Sequence, residues 1–312
     1  MSQIKTNHDN LSVVVQGGLG NQMFQYAFFK ALEKTHKYVL LDLSLFNHTN
    51  VENRPFMLDK AFNIYLDPKR LRFDFLKIAR PNLMIRIINR ILRKLSCYQV
   101  INKKIEDLVI TENDYIYPER YFKITKGFLS GYWQSEEYFS NIMDEIDTFF
   151  TFNIIEDVTV KKIEHDITKT KDSVALHWRR GDYIGHKSLG LDLTKYMYNS
   201  LEYISNAKSI TDIFVFTEDI DWVNNRLSEF RFNLKYHFVS SELYYKPDYY
   251  EMYLMSKAKH NIISNSSFSW WGAYLNDNPN KVVIAPSKWT NENFNIRFTN
   301  IIPKEWIKID LS

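Results

Sequence analysis

Apolar and polar positions along this chain fall into short, repeated blocks. "LSVVVQ" (11–16) and "KYVLLDL" (37–43) are brief apolar runs, and "GGLGN" (17–21) between them is a turn sequence. Runs of this length bounded by glycine predict strands. "QMFQYAFFKALEK" (22–34) has helical spacing, with Met23, Tyr26, Ala27 and Lys30 on one face. Strand, helix and strand in succession open a parallel sheet.

From 44 to about 165 the pattern is less regular. "ARPNLMIRIINRILRKL" (79–95) predicts an amphipathic helix. Its apolar stripe is Met84, Ile87, Ile88, Ile91 and Leu95, with Arg86, Arg90, Arg93 and Lys94 off the stripe. The stretch 131–152 predicts a turn followed by a helix. Beyond 165 the alternation becomes clean. Strands are expected at 173–178, 211–217, 235–239, 260–264 and 281–285. Helices are expected at about 193–207, 219–228, 247–258 and 267–276. Such alternation means a parallel sheet with helices on both faces. The charged run "EDVTVKKIEHDITKTKDS" (156–173) predicts the boundary between an N-terminal α/β domain, 1–165, and a C-terminal one, 166–312. Two such domains facing across a cleft would bind ligands beyond the C-terminal strand ends.

Composition narrows the function classes. The 312 residues carry 40 basic and 37 acidic side chains, a net +3, which is too balanced for nucleic-acid binding by bulk charge. Aromatics reach 16%; they fill cores, and their faces also suit sugar rings. The single Cys97 has no internal partner, which points to a reducing, cytoplasmic setting. The polar start "MSQIKTNHDN" reads as no secretion signal, and no apolar run approaches the length of a membrane span.

Four strand-end motifs hold the candidate chemistry. In "GGLGNQ", Gly18, Gly20 and the later Asp42 imitate a dinucleotide fingerprint, but Met23 stands at the third glycine position. The alternative is a tight turn at a helix start, with Gly20, Asn21 and Gln22 aimed at a ligand. In "HWRRGDY" (177–183), Arg179 and Arg180 follow a strand end, flanked by His177 and Asp182. Guanidinium forks grip phosphate oxygens in two places and stay charged, so the pair suits a diphosphate. A structural ion-pair network is the other reading of the same residues. In "SNSSFSWWGAYL" (264–275), Asn265, Ser266, Ser267 and Ser269 lie near a helix start, where hydroxyls and free N–H groups cradle anions or simply cap the helix. Trp270 and Trp271 are expected in the core. In "VFTEDIDW" (215–222), Glu218 ends a strand where a base or ribose is held. Asp219 and Asp221 form a D-x-D that either starts a helix or takes a metal.

These strings, with "YEMYLMSKAKHNIISNSSFSWWGAYLN" and "VVIAPSKW", appear in the order found in bacterial α-1,2-fucosyltransferases of glycosyltransferase family 11, which this chain resembles over residues 13–289. "TED" stands here where many members carry "SDD". The resemblance implies a GT-B-like fold of two Rossmann-type domains, within carbohydrate biosynthesis of the O-antigen kind. It further implies a GDP-fucose donor, a terminal β-galactoside acceptor, and inversion without metal or other cofactor. By resemblance Arg179 and Arg180 bind the diphosphate beside His177 and Asp182. Ser266, Ser267 and Ser269 meet the phosphates, Glu218 meets the guanosine end, and Asn21 and Gln22 reach in from the other domain. One inverting displacement needs one base, for which Asp182, His177 and Glu218 are the candidates. The basic helix at 79–95 reads as a soluble surface helix packed on its own domain, or as a contact with an anionic membrane at the cytoplasmic face of the inner membrane. Two rivals remain: an oxidoreductase using the Gly17–Asn21 loop, distinguished by tight NADH or NADPH binding, and a non-catalytic glycan-binding protein, distinguished by the lack of GDP release from GDP-fucose.

Overall fold

The computed structural model describes residues 10–47, 54–76, 108–112, 118–291 and 300–312. The chain forms two compact units. One comprises residues up to Lys60 with Ile64–Phe149, and the other comprises Ala61–Asn63 with Phe150–Ser312. The predicted helix at 79–95 and Cys97 lie outside the described residues. Among the described residues, no helix is long and apolar enough to cross a membrane.

The first unit is built on β1 (Leu11–Val14), β2 (Val39–Asp42), β3 (Leu71–Arg72), β4 (Val109–Thr111) and β5 (Gly127–Ser130). They form one sheet in the order β3-β2-β1-β5-β4, with every pairing parallel. β1 and β2 are buried at every position, as the unbroken apolar runs of a doubly covered sheet require. Helix α1 spans Leu19–Glu33, so it starts three residues earlier than its apolar spacing suggests. The reason is local: Gly17 turns the chain at φ +79°, and the Gly18 carbonyl accepts from Asn21 N and Gln22 N. The "GGLGN" turn is therefore shorter than expected, because Gly20 and Asn21 already belong to the helix. Nor does α1 bury a single face. Phe24, Phe28, Phe29, Ala31 and Leu32 are buried along with Met23, Tyr26 and Ala27. Residues 131–152 do not form the predicted continuous helix. Glu136–Glu145 runs as 3₁₀ turns broken at Phe139 and Ile142, and only Ile146–Phe149 is α-helical.

A buried acid braces this unit. Just past β4, the Glu112 carboxylate accepts from Tyr132 N at 2.8 Å and Trp133 N at 2.9 Å, fixing the turn after β5. Burial pushes its pKa up to about 7, against the pull of those two N–H bonds. The folded state thus keeps a proton that the unfolded chain releases near 4.5. Stability is full below that pH, falls as pH rises from about 4.5 to about 7, and is level above. In urea melts across this range, Glu112→Gln should flatten the slope. An unchanged slope would mean that Glu112 is not the group responsible.

The second unit carries β6 (Val174–His177), β7 (Asp212–Phe216), β8 (Lys235–Phe238), β9 (His260–Ile262), β10 (Val283–Pro286) and β11 (Ile307–Ile309). Its order is β11-β10-β9-β6-β7-β8, again with parallel pairings. The helices are α2 (Val158–Lys169), α3 (Thr194–Ala207), α4 (Ile220–Glu229), α5 (Tyr249–Lys257) and α6 (Ser267–Tyr274). Each predicted strand is present, shorter by one or two residues. The charged run at 156–173 forms α2, and the two compact units divide at Phe149/Phe150. Val160, Ile163 and Ile167 recur at helical spacing and enter the core with Leu254 and Met255, while the charges face outward. Asp157 caps α2, accepting from Thr159 N at 3.0 Å and Val160 N at 3.2 Å.

Candidate functional site

In the second unit β6 lies between β7 and β9, so strand order reverses across the β6–β9 gap. Open parallel sheets bind ligands at such a switch point, just beyond the C-terminal strand ends. Ser264 ties the two ends together. Its hydroxyl donates to His177 O at 2.8 Å and accepts from Arg179 N at 2.8 Å. Ser264 was not among the predicted residues. Its only sequence signal is its place at the head of "SNSS", directly after a strand.

The arginines emerge at this point. Arg179 Nη2 donates to Asp182 Oδ1 at 2.6 Å, and its Nη1 pairs with the Glu218 carboxylate. Its side chain is 17% exposed and that of Asp182 is 58% exposed. Arg180 Nε donates to Asp219 Oδ2 at 2.9 Å, and its guanidinium lies over the Trp222 ring at 3.5 Å. The backbone N–H of Arg180 donates to Glu218 Oε2 at 3.3 Å. Two permanent cations are thus met by three carboxylates from the β6 and β7 ends. Asp219 stands at the start of α4, and Asp221 lies in its first turn. Asp219 is thereby committed to Arg180. Among the described residues, no cluster of His, Cys, Asp and Glu has the makings of a metal site.

Other predicted residues have different surroundings. His177 is buried, and burial, reinforced by the charge of Arg179, holds its pKa down to about 3. It is neutral and a weak base at neutral pH. Ser266 starts α6 and Ser267 is its first residue. Ser269 is fully buried, with its hydroxyl donating to Ser266 O at 3.3 Å. Asn265 is buried as well, its amide donating to Leu189 O at 3.0 Å and Trp289 O at 2.9 Å. It braces these two backbone carbonyls while also lining the cavity described below. In the first unit, Gln22 also braces backbone: its amide N–H groups go to Gly17 O and Pro55 O, each at 2.9 Å, and its oxygen accepts from Met57 N at 2.9 Å. Asn21 Oδ1 accepts from Gln134 Nε2 at 2.7 Å, and Gly20 is buried within α1.

Two features were illegible in the sequence. Glu251, in the first turn of α5, is pushed up to about 7 by burial, with Asp248 adding to the shift and Ser240 and Arg179 opposing it. The second is a cavity of about 340 Å³ beside the arginines, lined by Trp178, Tyr183, Asp192, Thr194, Trp222 and Arg226 among others. Its outer wall is the loop between Arg180 and α3. The loop is held by Asn265 and by Asn291, which donates to Ser188 O and Lys187 O. Gly190 is required there, since a Cβ would lie 2.6 Å from His186 O and 2.7 Å from Tyr183 O.

A parallel α/β unit with a cation pair at its switch point has an arrangement suited to anionic ligands. The comparisons with known proteins are more specific. The profile of glycosyl transferase family 11 matches residues 10–310, and the chain belongs to that family. It is 31% identical to an alpha-1,2-colitosyltransferase from Escherichia coli, over 96% of this chain and 100% of the relative. It is 30% identical to the O-antigen biosynthesis glycosyltransferase WbnK from Escherichia coli, over 88% of this chain and 93% of the relative. Among solved structures, it is similar to fucosyltransferase NodZ from Bradyrhizobium, at 13% identity, TM-score 0.46 and coverage of 84% of this chain and 92% of that one. It is likewise similar to a family 9 glycosyl transferase from Veillonella parvula, at 10% identity, TM-score 0.41 and coverage of 99% and 89%. Membership of family 11 sets aside the dinucleotide oxidoreductase as the reading of "GGLGN".

Proposed function

We propose that this glycosyltransferase moves L-fucose from GDP-β-L-fucose to the 2-hydroxyl of a terminal β-galactoside, forming an α-1,2 linkage with inversion. The observation that carries this reading is the arginine pair, Arg179 and Arg180, at the switch point of the second unit. Breaking the sugar–phosphate bond leaves negative charge on departing GDP. Fixed cations aimed at that charge lower the barrier, and a guanidinium pair supplies them without a metal. Ser266 and Ser267 at the start of α6 lie on the adjoining strand end and complete the phosphate cradle. Glu218 marks the guanosine end. The cavity beside the arginines combines the aromatic faces of Trp178, Trp222 and Tyr183 with polar Asp192 and Thr194, a mixture suited to a sugar ring.

The similarity to an alpha-1,2-colitosyltransferase favours a second reading, in which the donor sugar is colitose. Both readings keep the arginine site and differ only at the sugar. Purified protein given GDP-fucose or GDP-colitose with a panel of β-galactosides, the product linkage read by NMR, separates them. Fucosyl transfer at O2 with an α signal supports the first reading. Transfer of colitose alone supports the second. Turnover of neither donor would discard both, and glycan binding without GDP release would restore the non-catalytic reading.

Turnover is expected to persist in excess EDTA. Complete loss, reversed by Mn²⁺, would return Asp219 and Asp221 as metal ligands. We further propose a cytoplasmic protein whose basic segment 79–95 either packs on its own domain or touches an anionic membrane surface. Failure of the protein to float with anionic vesicles would remove that contact.

A further inference from the structure

Both arginines are met by one short segment, residues 217–219 at the end of β7, and that segment is itself fastened to the turn beyond β8. Glu218 pairs with Arg179 and accepts from Arg180 N, while Asp219 accepts from Arg180 Nε. Thr217 is buried. Its hydroxyl oxygen accepts from Asp219 N at 3.2 Å, and its own N–H donates to Ser240 Oγ at 2.9 Å. Ser240 lies in the short helical turn Val239–Glu242, directly after β8. A hydroxyl that accepts from a backbone N–H still has its proton to give, and a hydrogen bond joins Ser240 to the side chain of Glu251 in the first turn of α5. Glu251 is thus linked through Ser240 to the segment that carries two acid partners of the arginines.

Two charges act on Glu251. The Arg179 guanidinium, from the end of β6, favours its carboxylate form, and Asp248, from the start of α5, disfavours it. Of the helices packed on α5, α6 carries no charged side chain. In α2, Glu164 accepts from Tyr253 Oη at 2.7 Å, and Lys162 pairs with Asp166 and with Glu242 of the Ser240 turn. Asp157, which caps α2, pairs with Lys246. Burial outweighs the guanidinium, and the Glu251 carboxyl titrates at about 7. At the arginines themselves, two guanidiniums already face the carboxylates of Asp182, Glu218 and Asp219. An ionised Glu251 adds a further negative charge to a place read as holding a diphosphate, and a neutral one does not. A diphosphate on Arg179 would offset the guanidinium's field and set its own negative charge against the Glu251 carboxylate.

We propose that Glu251 is a positioning residue of the arginine site, which steadies segment 217–219 through Ser240 and takes up a proton from solvent when a diphosphate settles on Arg179. This rests on the nucleotide-sugar reading above. The proton returns to solvent when the nucleotide leaves, so no bond of the substrate is made or broken at Glu251. The protonated carboxyl keeps a carbonyl oxygen that accepts from Ser240, so the link to Thr217 survives the change of charge. The sign of the pH dependence follows. Binding that raises a group's proton affinity weakens as pH climbs past the value at which that group titrates in the free protein. Donor affinity is therefore level below about pH 7 and falls above it. Moving the titration of one carboxylate upward by about one pH unit on binding corresponds to about tenfold in affinity at the high-pH end.

The test counts protons. GDP-fucose and GDP-colitose are titrated by calorimetry into wild type, Glu251→Gln, Glu251→Ala and Ser240→Ala, in buffers of different ionisation enthalpy, from about pH 6 to about pH 8.5. Melting curves and steady-state kinetics are run alongside. A diphosphate esterified at both ends has no proton of its own to exchange near neutrality, so any uptake belongs to the protein. Wild type is expected to take up close to one proton at the high-pH end and to bind there about tenfold more weakly than at the low-pH end. Glu251→Gln keeps an oxygen for Ser240 and carries no charge. It should take up no proton, match wild-type affinity at the low-pH end, and bind about tenfold tighter than wild type at the high-pH end. Its kcat at low pH should stay within about threefold of wild type, whereas Glu251→Ala and Ser240→Ala, which break the link to Thr217, should each lose about tenfold in kcat/KM. A merely structural glutamate would lower the melting temperature on substitution without moving the proton count. Wild-type binding with no proton uptake, or uptake that persists in Glu251→Gln, overturns the proposal and leaves the donor reading standing. Collapse of kcat in Glu251→Gln at low pH overturns it as well, since the carboxyl would then act in the chemistry. If wild type binds neither nucleotide sugar at any pH, the donor reading itself fails and this inference falls with it.

Discussion

Arg179→Ala is expected to lower GDP-fucose turnover at least a hundredfold while leaving a folded protein. A preorganised donor aimed at developing negative charge contributes about a hundredfold to a thousandfold in rate. Two features of the site put Arg179 at or above that level. It meets both Asp182 and Glu218, and its charge also opposes the rise in the Glu251 pKa. Its removal takes one of the two guanidinium charges that balance the acids at this strand end. Arg179→Lys keeps the charge but loses the fork, so it should fall between wild type and alanine. Arg180 differs in kind. Its guanidinium lies on Trp222 with Asp219 at its edge, so Arg180→Ala should cost turnover and also loosen the start of α4. Steady-state kinetics with GDP binding as a companion measurement decides the matter. Near-normal kcat in Arg179→Ala would remove the diphosphate from this pair.

The second large effect is on stability. Trp270→Ala should destabilise the second unit by about 3–5 kcal/mol, the range for emptying a large aromatic from a core. Trp270 is fully buried, stacks on Tyr274 at 4.7 Å and 11°, and packs on Trp306 at 5.3 Å. Its indole N–H donates to Ile301 O at 2.7 Å, so truncation also strands a buried carbonyl. Against a typical total of about 5–15 kcal/mol this is a large share, and the midpoint in urea should drop accordingly. An unshifted midpoint together with a raised acceptor KM would instead make Trp270 a sugar platform. That outcome conflicts with its burial.

Much of the site was legible because strand ends carry strong local signals. An apolar run that stops at "HWRRGDY" tells where a parallel strand leaves its sheet, and charged residues cannot follow the strand into the core. The serine-rich start of α6 was visible for the same reason. Side-chain direction was another matter. Ser269 and Gln22 read as ligand-facing polar groups, yet each satisfies backbone carbonyls or N–H groups, while Asn265 does so and also lines the cavity. Polar residues next to glycine-rich or serine-rich turns serve either purpose, and only packing chooses between them. The charged run at 156–173 is ambiguous for a related reason. Five of the twelve residues of α2 are Lys, Asp or Glu, yet Val160, Ile163 and Ile167 still bury a stripe.

By itself the sequence determined the alternation of strand and helix, the parallel sheets, the four chemical motifs and the family they belong to. These follow from periodicity and from the few residue types that a strand end or helix start accepts. The tertiary structure alone decided that β6 sits between β7 and β9, which brings residues 179, 218 and 264 together. It alone paired Arg179 with Glu218, and buried His177. Such choices depend on which distant segments become neighbours, and no local pattern encodes a contact between residues 85 positions apart.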